Sequence, residues 1–105
     1  MTSFNKVFLA GNLTRNPELR YLPTGNPCTA MTIAVNTRRR GFAGKKETET
    51  CFVKLLVLNE LAKACADQLT KGSPLFVEGV LREEVQEKHG VKRSRLYVLA
   101  EKVLF

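Results

Sequence analysis

Two adjacent segments give the strongest indication of the fold: Cys51–Leu58, CFVKLLVL, and Asn59–Gly72, NELAKACADQLTKG. The first segment is short, apolar and rich in β-branched residues, which favours a buried strand over a helix. The second predicts a helix that starts at Asn59 as N-cap and stops at Lys71-Gly72. Its apolar residues recur at i, i+4 and i+8, on one face of that helix: Leu61, Cys65 and Leu69.

Period-two patterns flank this strand–helix pair on both sides. They predict strands at Phe4–Leu13, Glu18–Leu22 (short), Cys28–Asn36, Leu75–Gln86 and Val91–Phe105, the last two joined at His89-Gly90. Residues 37–50 are polar and glycine-containing, and indicate a long exposed hairpin connection. Five main strands with one short helix between the third and fourth predict an all-β protein, a five-stranded OB-fold Greek-key barrel forming a single domain over residues 1–105. An open α+β sheet is the alternative, because periodicity does not show closure.

Charge is the most informative part of the composition. Lys and Arg number 17 against 10 Asp and Glu, a net charge of +7, which indicates a polyanionic partner: nucleic acid first, an anionic membrane second.

With 44% hydrophobic residues the chain is too apolar for a disordered basic tail. No apolar run approaches the roughly 18 residues of a membrane-spanning helix. The N-terminus lacks the order of a signal peptide, so we expect a cytoplasmic protein without a membrane partner.

Catalytic and metal chemistry find little support in the sequence. The three cysteines are widely spaced without a CxxC pair, and the single histidine, His89, has no neighbouring ligand, so we expect no metal and no cofactor. His89 also falls in a charged hairpin tip, without an acid to orient it in a cleft. No glycine-rich phosphate motif is present. We therefore expect a binding protein rather than an enzyme.

Two basic clusters point to a phosphate-binding surface. The first is Arg38, Arg39, Arg40, Lys45 and Lys46, with Phe42 in its middle. The second brackets the last hairpin and consists of Lys88, Lys92, Arg93 and Arg95. Hairpin arms on one side of a barrel can form one groove that tracks phosphates. The alternative is that both clusters are solvated hairpins that keep the protein soluble.

Phe52 favours the nucleic-acid interpretation. It alternates with Lys54 on one face of the central strand, while Val53, Leu55 and Val57 form the other, core-facing set. An aromatic ring beside a lysine suits a stacked nucleobase with its phosphate on the ammonium group, although Phe52 as a core residue is the alternative. Tyr21 and Tyr97 are further stacking candidates, and the absence of Trp argues mildly against a strong stacking platform.

Blocks in matching order across nearly the whole chain resemble the bacterial single-stranded DNA-binding protein family. They are Phe4–Val7 with Leu9 and Gly11–Leu13, Asn16–Tyr21, Pro23–Gly25, Thr32–Asn36, Leu61-Ala62, and Lys71–Gly79 with Leu81-Arg82. The resemblance implies an OB-fold homotetramer, built from dimers, that binds single-stranded DNA without sequence preference. Such proteins protect strands opened in replication, recombination and repair, which implies nucleoid association.

Matched position by position, the resemblance implies a stacking role for Phe52 and phosphate contacts at Arg20, Lys54, Arg82 and the run Arg38–Arg40. Three positions where family members often carry aromatics hold Arg39, Leu58 and Gln86 here. Fewer stacking rings predict an affinity that depends more on charge, and so on salt.

The exposed edge of the first strand predicts the dimer contact: Lys6, Val7, Phe8, Leu9 and Ala10.

Family members commonly carry a flexible linker and an acidic tip that recruits partner enzymes, whereas this sequence ends at Leu104-Phe105. Recruitment of replication enzymes through such a tail is therefore not supported by the sequence. Two alternatives remain open. One is an OB-fold primosomal or accessory interaction module with weak nucleic-acid binding, and the other is an RNA- or membrane-binding basic domain.

Overall fold

Each period-two segment forms a strand in the computed structural model, which describes residues 1–41 and 43–105. The elements are β1 (Val7–Leu13), β2 (Glu18–Tyr21), β3 (Pro27–Arg40), β4 (Lys46–Leu58), α1 (Asn59–Gln68), β5 (Pro74–Lys88) and β6 (Val91–Leu104). Apart from the short β2, there are five main strands, and α1 lies between the third and the fourth. This order confirms the one predicted from the sequence.

The sheet closes on itself. Its strand order is β1-β5-β6-β4-β3-β2, and an additional antiparallel contact joins β1 to β3 at Asn12↔Ala34 and Leu13↔Ile33. Strands β4 and β6 run parallel, paired at Leu55↔Val98 and Leu56↔Leu99. A closed barrel of this connectivity is the predicted OB-fold, and the open α+β sheet is wrong.

The core consists of the inward residues of the five main strands, covered at one end by α1. Ile33, Val57 and Val77 are completely buried, and Ala62 and Cys65 of the helix pack against the same cluster. The buried hydroxyl of Thr29 donates a hydrogen bond of 2.9 Å to the Ala62 carbonyl oxygen. This bond satisfies the one buried polar side chain found among the described residues and ties the helix to β3.

Two hairpin arms extend beyond the barrel. The connection predicted over residues 37–50 is wrong, because β3 runs to Arg40 and β4 begins at Lys46, with cross-strand pairing continuing to that end of the arm. Strands β5 and β6 pair as far as Lys88↔Val91, and His89 and Gly90 turn the chain with φ of 54° and 77°. The β3–β4 arm was not predicted as strands because its residues are polar on both faces, so no apolar period marks them.

The ends of α1 also differ from the prediction. Leu58 is the N-cap and no side chain caps the helix, while Asn59 has a φ of 60°, a left-handed conformation that asparagine tolerates. The helix ends at Gln68 with no basic residue in its last turn. Gly72, with a φ of 90°, lies in the turn that follows rather than at the helix end. Packing of the apolar face, not capping, therefore holds the helix.

Burial raises the pKa of the Cys65 thiol to about 11, from an ordinary value of 9.0. The folded protein keeps this proton while the unfolded chain releases it, so the free energy of unfolding falls between about pH 9 and pH 11, by up to about 3 kcal/mol. Cys65→Ala is expected to flatten this fall relative to the wild type in urea titrations across that range. The two proteins differ only in this side chain, so parallel pH curves would contradict the assignment.

Candidate nucleic-acid interface

Phe52 and Lys54 lie on the outer face of β4. The register places them opposite Ala34 and Thr32 of β3, while Leu55 on the opposite face is buried. The Phe52 ring is 67% exposed, so its interpretation as a core residue is wrong. A large exposed ring next to a lysine can stack on a planar group and neutralise a neighbouring anion.

The same face continues along the β3–β4 arm. Cross-strand pairing sets Arg38 opposite Thr48 and Arg40 opposite Lys46, in steps of two residues from the Phe52 position. Because side chains alternate along a strand, Arg38, Arg40 and Lys46 share the outer face with Phe52. The structure thus joins one aromatic ring and several cations in a continuous stripe.

Arg39 does not join this stripe. Its register with Glu47 places it on the opposite face of the arm. There Nε lies 2.9 Å from Oε2 of Glu49, and Nη2 lies 3.8 Å from Oε2 of Glu47. Lys45 is exposed in the connection at the tip, and Phe42 lies outside the described residues.

The β5–β6 arm divides its cations in the same way. On one face Arg82 lies opposite Tyr97, Glu84 opposite Arg95, and Gln86 opposite Arg93, with Lys88 at the tip. Lys92, paired with Glu87, falls on the other face. The second predicted basic cluster is therefore also shared between two faces.

A cleft lies between the two arms. Strands β4 and β6 pair only at two positions, so towards the arms they separate. The cleft is lined by residues of both arms, among them Phe52, Lys54, Leu81, Arg95, Leu96 and Tyr97. Among the residues that line this cleft, Arg95 belongs to the second predicted basic cluster and none belongs to the first.

Leu81 and Leu96 were not predicted as site residues from the sequence. Both occupy positions that alternate in step with the core, yet they are 42% and 61% exposed, because the arms leave the barrel there. The signal for them, apolar residues in a strongly charged segment, was present in the sequence but was given no role. Tyr97 lies half-buried beside them.

A second depression begins on the other side of Lys54. Its lining includes Arg15, Arg20 and Lys54 above the β3 residues Ala30 and Thr32. Arg20 is exposed and paired with Glu18 at 2.8 Å, so part of its charge is already compensated. Arg15 was not predicted, since an isolated arginine in a turn gives no pattern.

Tyr21 is separated from these groups. It is 63% exposed at the end of β2, where the register places it on the face opposite to Arg20. The structure therefore does not bring this ring to Phe52.

The outer stripe retains its charge. None of the ion pairs found in residues 1–41 and 43–105 involves Arg38, Arg40, Lys46 or Lys54. Within the same residues, no group of three or more His, Cys, Asp or Glu side chains is placed to hold a metal ion. No helix in the described part of the chain is long and apolar enough to cross a membrane.

Strand β1 leaves part of one edge open. It pairs with β5 from Val7 to Asn12, but on its other side it meets β3 only at Asn12 and Leu13. At its start the Lys6 ammonium lies 3.3 Å from Glu78 and 3.5 Å from Glu101. Desolvation lowers the pKa of Lys6, but the hydrogen bonds and charges of these two carboxylates outweigh it and raise the pKa.

A closed five-stranded barrel with an exposed ring set among uncompensated cations defines an OB-fold protein with a basic binding face. The chain belongs to the single-strand binding protein family, whose model matches residues 4–105. Its curated relatives include the single-stranded DNA-binding protein of Wolinella succinogenes, 40% identical over 93% of this chain and 61% of the relative. That of Aquifex aeolicus is 37% identical over 94% of this chain and 67% of the relative. The chain thus spans about two thirds of these relatives' length.

Solved structures agree on the fold. A deletion mutant of the single-stranded DNA binding protein from Thermus aquaticus has a TM-score of 0.86 and 33% identity, over 95% of this chain and 49% of that one. The Plasmodium falciparum SSB in complex with ssDNA has a TM-score of 0.90, over 100% of this chain and 96% of that one. At 18% identity this second likeness concerns the fold alone.

Proposed function

We propose that this chain binds single-stranded DNA without sequence preference and protects strands opened in replication, recombination and repair. Membership of the family supports this function, as do the curated relatives named single-stranded DNA-binding protein. The observation that carries the proposal is the exposed Phe52 ring in line with Arg38, Arg40, Lys46 and Lys54 on one outer face. An accessory module with weak nucleic-acid binding has no comparable support.

The stripe explains how a strand binds without being read for sequence. Phosphates contact the cations and release condensed counterions, which gives an affinity independent of the bases. A base stacks on Phe52, and stacking is sequence-tolerant because every base has a π-face. No step requires a cofactor.

The remaining predicted cations have different roles in this proposal. Arg82 and Arg95 face the strand from the second arm, together with Arg93 and Lys88. Arg20 contributes beside Lys54. Lys45 and Lys92 add to the field that attracts the strand, and Arg39 acts mainly in its ion pairs. Tyr97 contributes a second ring near Phe52, and Tyr21 is assigned no stacking role.

We further propose that the chain forms a homotetramer built from dimers and acts at the nucleoid in the cytoplasm. The open edge at Lys6–Ala10 supports this assembly, since an unpaired strand edge is a template for pairing with a second chain. Phe8, 58% exposed on that strand, adds apolar surface for such a contact.

Phe52→Ala tests the proposed function in titrations with dT oligomers of graded length at two salt concentrations. We expect the variant to lose roughly tenfold in affinity, because stacking contributes about 1–3 kcal/mol per base. The slope of log K against log salt should stay unchanged, since no charge is removed. Phe52→Trp, which retains a ring, is the matched control and should bind at least as well as wild type. Absence of dT binding by the wild type would refute the proposed function.

A further inference from the structure

The side chain of Asn5 extends the pairing of β1 with β5 by one step. The backbone of β1 pairs with β5 up to Val7↔Gly79, and two residues further the same register brings Asn5 opposite Leu81. There the Asn5 Nδ2 donates a hydrogen bond of 2.7 Å to the Leu81 carbonyl oxygen, and the Leu81 N–H donates one of 2.8 Å to Oδ1. Two residues that exchange both bonds in this way form one rung of an antiparallel ladder, so a side chain here replaces a strand.

These two bonds form where the β5–β6 arm begins. Beyond Gly79, β5 pairs only with β6 among the described residues, and that pairing continues to Lys88↔Val91. A two-stranded ribbon is marginally stable by itself and twists more than a wider sheet. The direction of the arm therefore depends on how its base is held.

The neighbouring residue, Lys6, fixes the same N-terminal segment at a second point. Its ammonium group lies 3.3 Å from Glu78 of β5 and 3.5 Å from Glu101 of β6. Exposed ion pairs contribute little stability, whereas the bonds of Asn5 are directional and go to the backbone. Asn5 is thus the residue of this segment that constrains the base of the arm.

The residue after Leu81 begins the cationic face of this arm. Arg82 lies opposite Tyr97, and Arg95 follows on the same face, opposite Glu84. These cations act together with the outer stripe of the β3–β4 arm only while the two arms keep a fixed relative orientation. When the binding-competent orientation is only partly populated, the observed affinity falls by that fraction.

We propose that Asn5 is a positioning residue for single-stranded DNA binding, which holds the β5–β6 arm in the orientation that its cations need. Asn5 does not line the cleft between the arms, and it acts through Leu81 and the strand that carries Arg82. The inference rests on the proposed function and deepens it, because it assigns a role in binding to a residue that does not contact the DNA.

The experiment compares Asn5→Ala with Asn12→Ala, using fluorescence anisotropy of a labelled dT oligomer. Asn12 is a matched control, since its amide donates a hydrogen bond of 3.1 Å to the Gly72 carbonyl oxygen at the other end of β1. Both variants should stay folded and unfold at slightly lower urea concentrations than wild type. We expect only Asn5→Ala to bind more weakly, by about fivefold, which is roughly the factor that one net hydrogen bond contributes to a conformational equilibrium.

Double-mutant cycles separate positioning from general stability. In a protein that carries Arg82→Gln and Arg95→Gln, Asn5→Ala should have a much smaller effect, because binding then depends less on the orientation of this arm. In a protein that carries Arg38→Gln and Arg40→Gln on the other arm, it should retain its full effect. A purely structural role would give the same loss in both backgrounds, and that result would overturn the proposal.

The remaining outcomes separate the role of Asn5 from the function it serves. A wild-type protein that does not bind dT refutes the proposed function and the role of Asn5 with it. Wild-type binding together with equal affinities of the Asn5→Ala and Asn12→Ala variants overturns the role of Asn5 alone. So does weaker binding by Asn5→Ala that is accompanied by a smaller oligomer in gel filtration, since Asn5 adjoins the proposed dimer edge at Lys6–Ala10 and would then act through assembly.

Discussion

Neutralising the outer stripe of the β3–β4 arm with Arg38→Gln, Arg40→Gln and Lys46→Gln together is expected to reduce single-stranded DNA binding more than any other surface change. Each phosphate contact on a single strand contributes about 0.7 to the slope of log K against log salt. The triple variant should therefore lose about 2 from that slope, with an affinity at least roughly tenfold lower at low salt. Titrations of a dT oligomer over a range of salt concentrations measure both quantities.

A second triple variant isolates position from net charge. Lys63→Gln, Lys71→Gln and Lys102→Gln remove the same number of cations from the helix, the turn after it and the far strand, away from the stripe. This control should retain nearly the full slope, because exposed charges separated by more than about 10 Å are largely screened at 0.1 M salt. Equal slopes in the two variants would show that overall charge, and not this face, binds the strand.

Gly79→Ala is expected to have the largest effect on stability. Gly79 is buried at a register irregularity in the antiparallel pairing of β5 with β6, and a Cβ atom built there would overlap the Leu99 carbonyl oxygen. The backbone cannot move aside as a flexible side chain would, so the two strands must separate. We expect a loss of about 3 kcal/mol in the free energy of unfolding by urea titration, at the upper end of typical single substitutions.

Gly44→Ala provides the comparison. Gly44 has a φ of 73° with no atom within 4 Å of the added methyl group, so only backbone strain is introduced. A cost of about 1 kcal/mol is expected for a non-glycine residue in that conformation. If Gly79→Ala cost no more than this control, the close approach of β5 to β6 would not exist in solution.

The β3–β4 arm shows how one basic run can serve two purposes. Three consecutive arginines read as one cluster in the sequence, yet alternation sends Arg38 and Arg40 to one face and Arg39 to the other. Arg39 then contacts two glutamates on its own face, where a strand bound to the outer stripe does not reach it. Because these ion pairs compensate the charge of Arg39, this arginine does not form a second line of uncompensated cations on the opposite face of the arm.

Local sequence was sufficient for much of this protein. The apolar strand Cys51–Leu58, the helix after it and the alternation of Phe52 and Lys54 with the core residues follow from the spacing of side chains along a strand or helix. The two-residue turn at His89-Gly90 is also a local feature, as it requires residues that tolerate positive φ. Such features depend on neighbours within a few residues, which is why pattern alone located them.

Closure of the barrel, the length of the β3–β4 arm and the cleft between β4 and β6 could be established only from the tertiary structure. Closure depends on the contact of Asn12 and Leu13 with β3, and the cleft on where the parallel pairing of Leu55 with Val98 ends. Both link residues far apart in the chain, and no local period encodes them. The exposure of Leu96 and the pairing of Arg39 follow from the same cause: a side chain's orientation is set by its own strand, but what it meets is set by another strand.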